Sequence, residues 1–290
     1  MRIRPAFFLV AALWLGACGP SADRREFPVK GQLLTIAADH KEATIKHEEI
    51  KGFMAAMTMP YKVRDAKEYA DLAPGDLISA TLVVVSNDAY LKGVTKVGTS
   101  PIDTPPAASA APAASSGFEL IRLGQPVPDG RFISQDGTPT TIAAFRGSPL
   151  VVTFIYTSCP LPTFCPLMDR HFATLQTKLK EQHHDRKVHL LSVSFDPVSD
   201  TPAVLKRHAQ KLGADHRIWT FVTGDRDDID QWASRFGVSV SRALNDPLDI
   251  THNLRTAIID GEGNLKQTYT GNEWTPEQVL NDLRTMAGVD

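Results

Sequence analysis

Two clusters of sulfur-bearing residues stand out in a chain of 290 residues that holds only three cysteines and six methionines. The first is Thr157-Ser158-Cys159-Pro160-Leu161-Pro162-Thr163-Phe164-Cys165-Pro166. The apolar run before it and the helical spacing after it place Cys159 at the end of a strand and Cys165 at the start of a helix. The positive end of that helix dipole favours a thiolate at Cys165, the form that attacks disulfides and binds metals. Pro166 suits the first helical turn, where its missing N–H costs nothing. Pro160, Pro162 and Pro166 around a strand-to-helix switch read as an exposed, reactive loop rather than a core staple. The second cluster is His47-Glu48-Glu49-Ile50-Lys51-Gly52-Phe53-Met54-Ala55-Ala56-Met57-Thr58-Met59-Pro60. On a strand, Met57 and Met59 share one face. As plain packing they would fill an apolar surface. As donors, thioether plus imidazole is a soft set that suits Cu(I) and suits zinc or magnesium poorly.

The elements needed to hold these clusters follow from periodicity. With 42% hydrophobic and 22% charged residues the chain is globular. A formal net charge of -2 gives no attraction for phosphate, so nucleic acid is not an expected partner. Residues 118–290 alternate strands and helices. Leu150–Tyr156 is continuously apolar, as in a buried parallel strand, and leads into a helix with Met168, Phe172, Leu175 and Leu179 at helical spacing. Val188–Phe195 is the next strand. Thr201-Pro202 supplies a cap and a first-turn proline for a helix that Gly213 ends. A third helix carries Ile229, Trp232 and Phe236 and stops at Gly237. Thr256–Ile259 and Leu265–Tyr269 form a hairpin, and Thr275-Pro276 opens a last helix. That order is an α/β, thioredoxin-like one.

Residues 27–99 read instead as short strands between turn signals, a small all-β, OB-like barrel. Between the two modules, residues 100–117 are almost entirely Pro, Ala and Ser and form a linker. Fully extended it spans about 55 Å, and it keeps its two ends at mutual concentrations in the millimolar range.

The first seventeen residues have a signal-peptide pattern: Arg2 and Arg4, then a short apolar run from Ala6 to Leu15. The following Leu15-Gly16-Ala17-Cys18 resembles a bacterial lipobox, which implies lipidation of Cys18 and a tether over residues 18–26. The expected location is the periplasmic side of a bacterial cell envelope, anchored to the membrane by lipid. With Cys18 so used, Cys159 and Cys165 remain as a pair in a compartment where disulfides form.

Beyond the cysteine loop, the C-terminal module contains Ser194-Phe195-Asp196-Pro197 with Asp200-Thr201-Pro202, the Trp219 to Thr223-Gly224 stretch, Phe236-Gly237-Val238, and His252 before Leu254–Asp260-Gly261. Over residues 118–288 it resembles the SCO/SenC family of thioredoxin-like copper proteins. That resemblance implies a copper site made by Cys159, Cys165 and His252. Thiolate holds Cu(I), and imidazole also tolerates Cu(II). The family loop has three residues between its cysteines and this one has five. The longer ring changes loop entropy by about 0.3 kcal/mol, about 7 mV for a two-electron couple. Spacing therefore leaves the redox balance nearly unchanged, and copper binding depends on whether both sulfurs reach one ion. The N-terminal cluster resembles the CusF-like periplasmic copper-binding domain, which implies His47, Met57 and Met59 as ligands, with Met54 as a fourth or Met54 or Phe53 as an apolar cover.

Two functions from different classes follow. One is a membrane-anchored copper chaperone serving a copper-accepting respiratory oxidase subunit or another periplasmic copper protein. The other is an enzyme, a thiol-disulfide reductase using Cys159 and Cys165 as its redox pair. His252 discriminates, since only the copper site requires it. A zinc site lacks a fourth ligand. Elsewhere, Asp196 reads as a strand-end turn residue, His171, His189 and His208 as packing residues, and His183 and His184 as solvated.

Overall fold

Alternating burial along Glu42–His47 and Asp76–Val85, against unbroken burial of Leu150–Ile155, separates the chain into two kinds of sheet. A strand wet on one face alternates, whereas a strand covered on both faces does not. The computed structural model describes residues 24–54, 56–102, 119–184, 187–243 and 246–287. The signal segment, Cys18 and residues 103–117 of the linker lie outside the described residues.

The N-terminal module contains β1 (Arg25–Ile36), β2 (Glu42–His47), β3 (Met57–Lys62), β4 (Asp76–Val85) and β5 (Asp88–Thr99), with one short helix, α1 (Lys67–Ala70). All neighbours are antiparallel, in the order β3-β2-β1-β4-β5. A further bridge from Val63 to Leu91 joins the two ends of the sheet and rolls it into a small barrel. Leu33, Ile45, Ile78 and Leu82, each with no exposed surface, fill its interior.

The C-terminal module contains β6 (Arg131–Ser134), β7 (Pro139–Thr141), β8 (Leu150–Ile155), α2 (Cys165–Glu181), β9 (His189–Ser194), α3 (Pro202–Lys211), β10 (Trp219–Thr223) and α4 (Arg226–Ser234). It continues with β11 (Val240–Ala243), β12 (Asp246–His252), β13 (Arg255–Ile259), β14 (Leu265–Thr270) and α5 (Pro276–Ala287). Seven strands form one sheet in the order β14-β13-β8-β9-β10-β6-β7, while β11 and β12 form a separate hairpin. Parallel pairing of β8 with β9 and β9 with β10, flanked by the antiparallel β13–β14 hairpin, is the thioredoxin-like arrangement. Phe154, Phe172, Trp219 and Phe221 are buried completely at its centre.

Two local expectations change. Thr201 stands at the N-cap position of α3, but its side chain makes no capping hydrogen bond; Pro202 alone favours the start there. His184 is buried rather than solvated. His183 takes a left-handed conformation, with φ 57°, and the His184 N–H bonds back to the Leu179 carbonyl. That C-terminal turn folds the following residue onto the helix, whatever the polarity of its neighbours.

What holds the cysteine loop at the top of β8 is Asp200, which has no exposed surface. Its carboxylate accepts hydrogen bonds from the Thr157 N–H (2.9 Å), the Thr157 hydroxyl (2.5 Å) and the Ser194 hydroxyl (2.6 Å). Asp196, on the same turn, accepts from the Ser199 N–H at 3.3 Å, which is the turn role expected of it. Removing the Asp200 carboxylate strands one buried donor, on Ser194, and two half-buried ones on Thr157, each worth about 1–3 kcal/mol where solvent cannot replace the bond. Asp200→Ala is expected to lower stability by about 3 kcal/mol or more in urea unfolding, with Asp200→Asn less affected. A loss below about 1 kcal/mol for the alanine variant would contradict this role.

Candidate functional site

The register of β8 against β13 decides what meets at the top of the C-terminal sheet. Thr153 pairs with Thr256, and their buried hydroxyls are hydrogen-bonded at 3.1 Å. Continued by three or four residues, this antiparallel register carries Tyr156 and Thr157 towards Asn253 and His252. The β11–β12 hairpin then completes the placement, since Val240 pairs with His252. Arg242 ties the hairpin to Asp230 of α4 and to the Phe195 carbonyl. Asn253 donates to the Gly237 carbonyl and accepts from the Ser239 N–H.

The three residues proposed from the sequence are thereby brought together. Cys165 Sγ lies 3.8 Å from His252 Nε2, although the two are 87 positions apart. Cys159 and Cys165 lie close enough to shift each other's ionisation, and the structure holds both as free thiols. His252 Nδ1 donates to the Asn253 carbonyl at 3.0 Å, a bond that leaves the lone pair on Nε2, facing the sulfur. Its ring rests on Phe195, with centroids 4.4 Å apart, and edge-on to Tyr156. Pro162 and Thr163 carbonyls are held by Arg170 and Asn272.

Burial sorts the two sulfurs. Cys165 is buried, and desolvation together with the neighbouring Cys159 pushes its thiol well above the usual range. The expectation of a thiolate favoured by the helix dipole therefore fails at Cys165: helix α2 does begin there, but desolvation outweighs the dipole. Cys159 is partly buried, less so than Cys165, and its contacts with Cys165 and with the Tyr156 hydroxyl lower its pKa. Burial pushes Tyr156 up, so it remains a donor. It lowers His252 to about 4, so the imidazole stays neutral and able to donate its lone pair.

Among the described residues, no group of three His, Cys, Asp or Glu side chains stands preassembled as a metal cage. The donor pair nevertheless fits a metal. With bonds of about 2.3 Å to sulfur and about 2.0 Å to nitrogen, the lengths typical of zinc, two ligands of one ion at a trigonal angle sit about 3.7 Å apart. The observed Cys165–His252 separation is 3.8 Å. Cys159, the third residue expected as a ligand, is the less buried of the two cysteines.

In the barrel, β2 pairs with β3 so that His47 lies opposite Met57 and Ile45 opposite Met59. His47 and Met59 are buried. His47 Nδ1 donates to the Glu48 carbonyl at 2.6 Å, again assigning the lone pair to Nε2, and its ring stands edge-on to Tyr61. Met54 is also buried, and its sulfur accepts a contact from the Tyr61 hydroxyl at 3.9 Å. Phe53 is stacked on Phe27 at 4.3 Å. Gly31 pairs with His47, and a Cβ there would meet the His47 Cα at 2.8 Å. Only glycine lets β1 and β2 close at that point.

Tyr156, Phe195, Arg242, Asn253 and Gly31 were not expected from the sequence as supports of a site. Each acts through partners distant in sequence or through the lack of a side chain. Ser194-Phe195-Asp196-Pro197 and Asp200-Thr201-Pro202 were visible as a pattern, without their structural roles.

Comparison with known proteins gives the following. A family model described as SCO1/SenC matches residues 127–288, and one described as copper binding periplasmic protein CusF matches residues 26–96. The chain is similar to the SCO1 protein homolog of Bacillus subtilis (strain 168), at 28% identity over 156 residues, 53% of this chain and 79% of the relative. Among solved structures it is similar to a SCO1/SenC family lipoprotein from Bacillus anthracis str. Ames, with 28% identity, TM-score 0.50, and coverage of 57% of this chain and 99% of that one. Arabidopsis thaliana ScoI, solved with copper bound, matches at 20% identity and TM-score 0.48, covering 56% of this chain and 99% of that one.

Two outcomes follow from the thiol and imidazole environments. In the reduced protein near neutral pH, iodoacetamide is expected to label Cys159 at least about tenfold faster than Cys165, since one pKa unit is tenfold in thiolate. Equal rates by mass spectrometry would rule out the asymmetry. Because the folded pKa of His252, about 4, lies below the usual 6.5, the unfolded state binds more protons between those values. Stability from this group is complete above pH 6.5 and is lost as pH falls towards 4. Urea unfolding should show that fall, reduced in His252→Phe.

Proposed function

Because the chain belongs to the SCO1/SenC family, with a match to its model over residues 127–288, we propose that it is a copper chaperone whose cargo is held by Cys159, Cys165 and His252. The observation that carries this reading is the Cys165–His252 contact at 3.8 Å, with the Nε2 lone pair turned towards sulfur. Two thiolates and a neutral imidazole are a soft set matched to Cu(I). Binding displaces the thiol protons, so loading requires the reduced pair and releases acid. Disulfide formation between the same sulfurs excludes the metal, which couples loading to redox state.

The barrel supplies the second copper site, at His47, Met57 and Met59, with Met54 held against Tyr61 as a neighbouring thioether. Its match to the CusF model supports that assignment. The recipient is the copper site of a respiratory oxidase subunit or another periplasmic copper protein. The envelope location and an anchor through lipidated Cys18 rest on the N-terminal sequence and on the likeness to a SCO1/SenC family lipoprotein.

The inequality of the two thiols supports one further reading, a thiol-disulfide reductase. A partly buried sulfur of lowered pKa beside a fully buried one of raised pKa suits a nucleophile with a resolving partner. His252 has no necessary part in that chemistry. Anaerobic Cu(I) titration of the soluble chain is expected to show two sites, one lost in Cys159→Ser and the other in the Met57→Ala, Met59→Ala double variant. No copper uptake at the cysteine site, together with copper-free turnover of an oxidised target by His252→Ala, would replace the chaperone by the reductase.

A further inference from the structure

The cysteine loop belongs to two cores at once. Leu161, midway between the cysteines, is only 6% exposed, and it is buried in the apolar cluster of the barrel rather than in that of its own module. Cys159 and Phe164 pack against both clusters. On one side of this contact Pro160, Pro162 and Pro166 face Arg25 and Val84–Ser86 across a small cleft. On the other side lies a cavity of about 560 Å³, lined from the barrel by Met59 and Tyr61 and from the C-terminal module by Leu161, Phe164 and His252. At the surface Lys62 of β3 forms an ion pair with Glu273, just before α5.

One assigned donor from each module, Met59 and His252, therefore borders the same open cavity. We propose that Leu161 and Phe164 are a docking plug that seats the cysteine loop on the barrel, and that Cu(I) passes within the chain across this cavity from the thioether–imidazole set to Cys159, Cys165 and His252. The inference rests on the two copper sites proposed above and adds the route between them.

The step is a ligand exchange. Bonds from Cu(I) to the Met thioethers and to the His47 imidazole break, and bonds to the two cysteine sulfurs and to His252 Nε2 form. The two thiol protons leave to solvent, the copper stays Cu(I), and no electron is transferred. Its direction follows from chemistry, because anionic thiolates hold Cu(I) more strongly than neutral thioethers do. The plug also explains why a loop that must release metal carries a leucine and a phenylalanine: both are covered while docked. A linker alone would bring the modules together at about millimolar concentration without orienting them. The plug supplies the orientation, which lowers the ordering cost of each transfer.

The test uses the full soluble chain, reduced and anaerobic, mixed rapidly with one equivalent of Cu(I) as a weak chelate. Arrival at the cysteine site is read from Cu(I)–thiolate absorption, and docking from hydrogen exchange over residues 160–164. In the wild type, the signal is expected to rise at a rate independent of protein concentration. Leu161→Asp should slow that rise about tenfold or more and remove the protection, with both copper sites still filled at equilibrium. Should that variant fold poorly, Lys62→Glu, which sets two acids face to face at the rim, is expected to slow transfer several-fold. Lys62→Glu with Glu273→Lys should then restore the rate. An unchanged rate in variants whose loop has lost its protection overturns the handoff and leaves the two copper sites standing. A wild-type chain that binds copper at only one module, or at neither, overturns the functional reading and the handoff with it.

Discussion

The antiparallel register between Leu150–Ile155 and Arg255–Ile259 is the constraint on which the C-terminal site depends. It is stapled by the buried Thr153–Thr256 hydroxyl pair and continues upward into the segments that carry the cysteines and His252. A slip of one residue would turn every side chain of the strand to the opposite face. In that event His252 would leave Cys165, and the fully buried Ala257 and Ile258 would exchange faces. Packing and site geometry are thus protected by the same hydrogen-bond ladder. The weak contact between sulfur and imidazole need contribute little energy itself, because the sheet has already brought the two segments together.

Desolvation is the second theme. His47 and His252 each turn Nδ1 towards the carbonyl of the next residue, Glu48 and Asn253, and keep the Nε2 lone pair for the interior. Burial drives the His252 imidazole towards neutrality, which is the ligating form. The buried Cys165 thiol is driven towards neutrality as well, which is not. The site therefore leans on Cys159, whose contacts with Cys165 and Tyr156 oppose burial. On the proposed reading, an incoming soft cation would compensate the cost of ionising Cys165, since it replaces a lost solvent shell by direct bonds.

Much of this organisation was legible in the sequence. Continuous apolarity marked the central strand, helical spacing marked the helix after Cys165, and turn signals separated the barrel strands. The sulfur clusters were visible because methionine and cysteine are scarce elsewhere. Three features were hidden for physical reasons. The β11–β12 hairpin that ends at His252 is short, polar and separate from the main sheet, so it has no periodicity to detect. The burial of Cys165 runs against the helix-dipole argument, and only the packing around α2 shows which effect is larger. Leu161 lies among prolines in a stretch that reads as exposed loop. It is exposed with respect to its own module, and its cover comes from a barrel more than sixty residues earlier, beyond the reach of any local pattern.

That last point bears on how the chain would deliver its cargo. A loop whose apolar residues are covered by the barrel cannot at the same time present them to another protein. On the proposed reading, a recipient that approaches Cys159 meets a face already occupied by barrel residues, with Cys159 and Phe164 packed against both cores. Capture from the barrel and delivery to a partner therefore belong to different arrangements of one chain, docked for the first and open for the second. The linker of residues 100–117 is suited to that alternation, being long enough to let the modules separate yet short enough to keep them at about millimolar mutual concentration. A recipient that supplies its own apolar cover for Leu161 and Phe164 would compete directly with the barrel. Such competition opens the site only where copper is to be received, so the metal is enclosed until a partner of matching shape arrives.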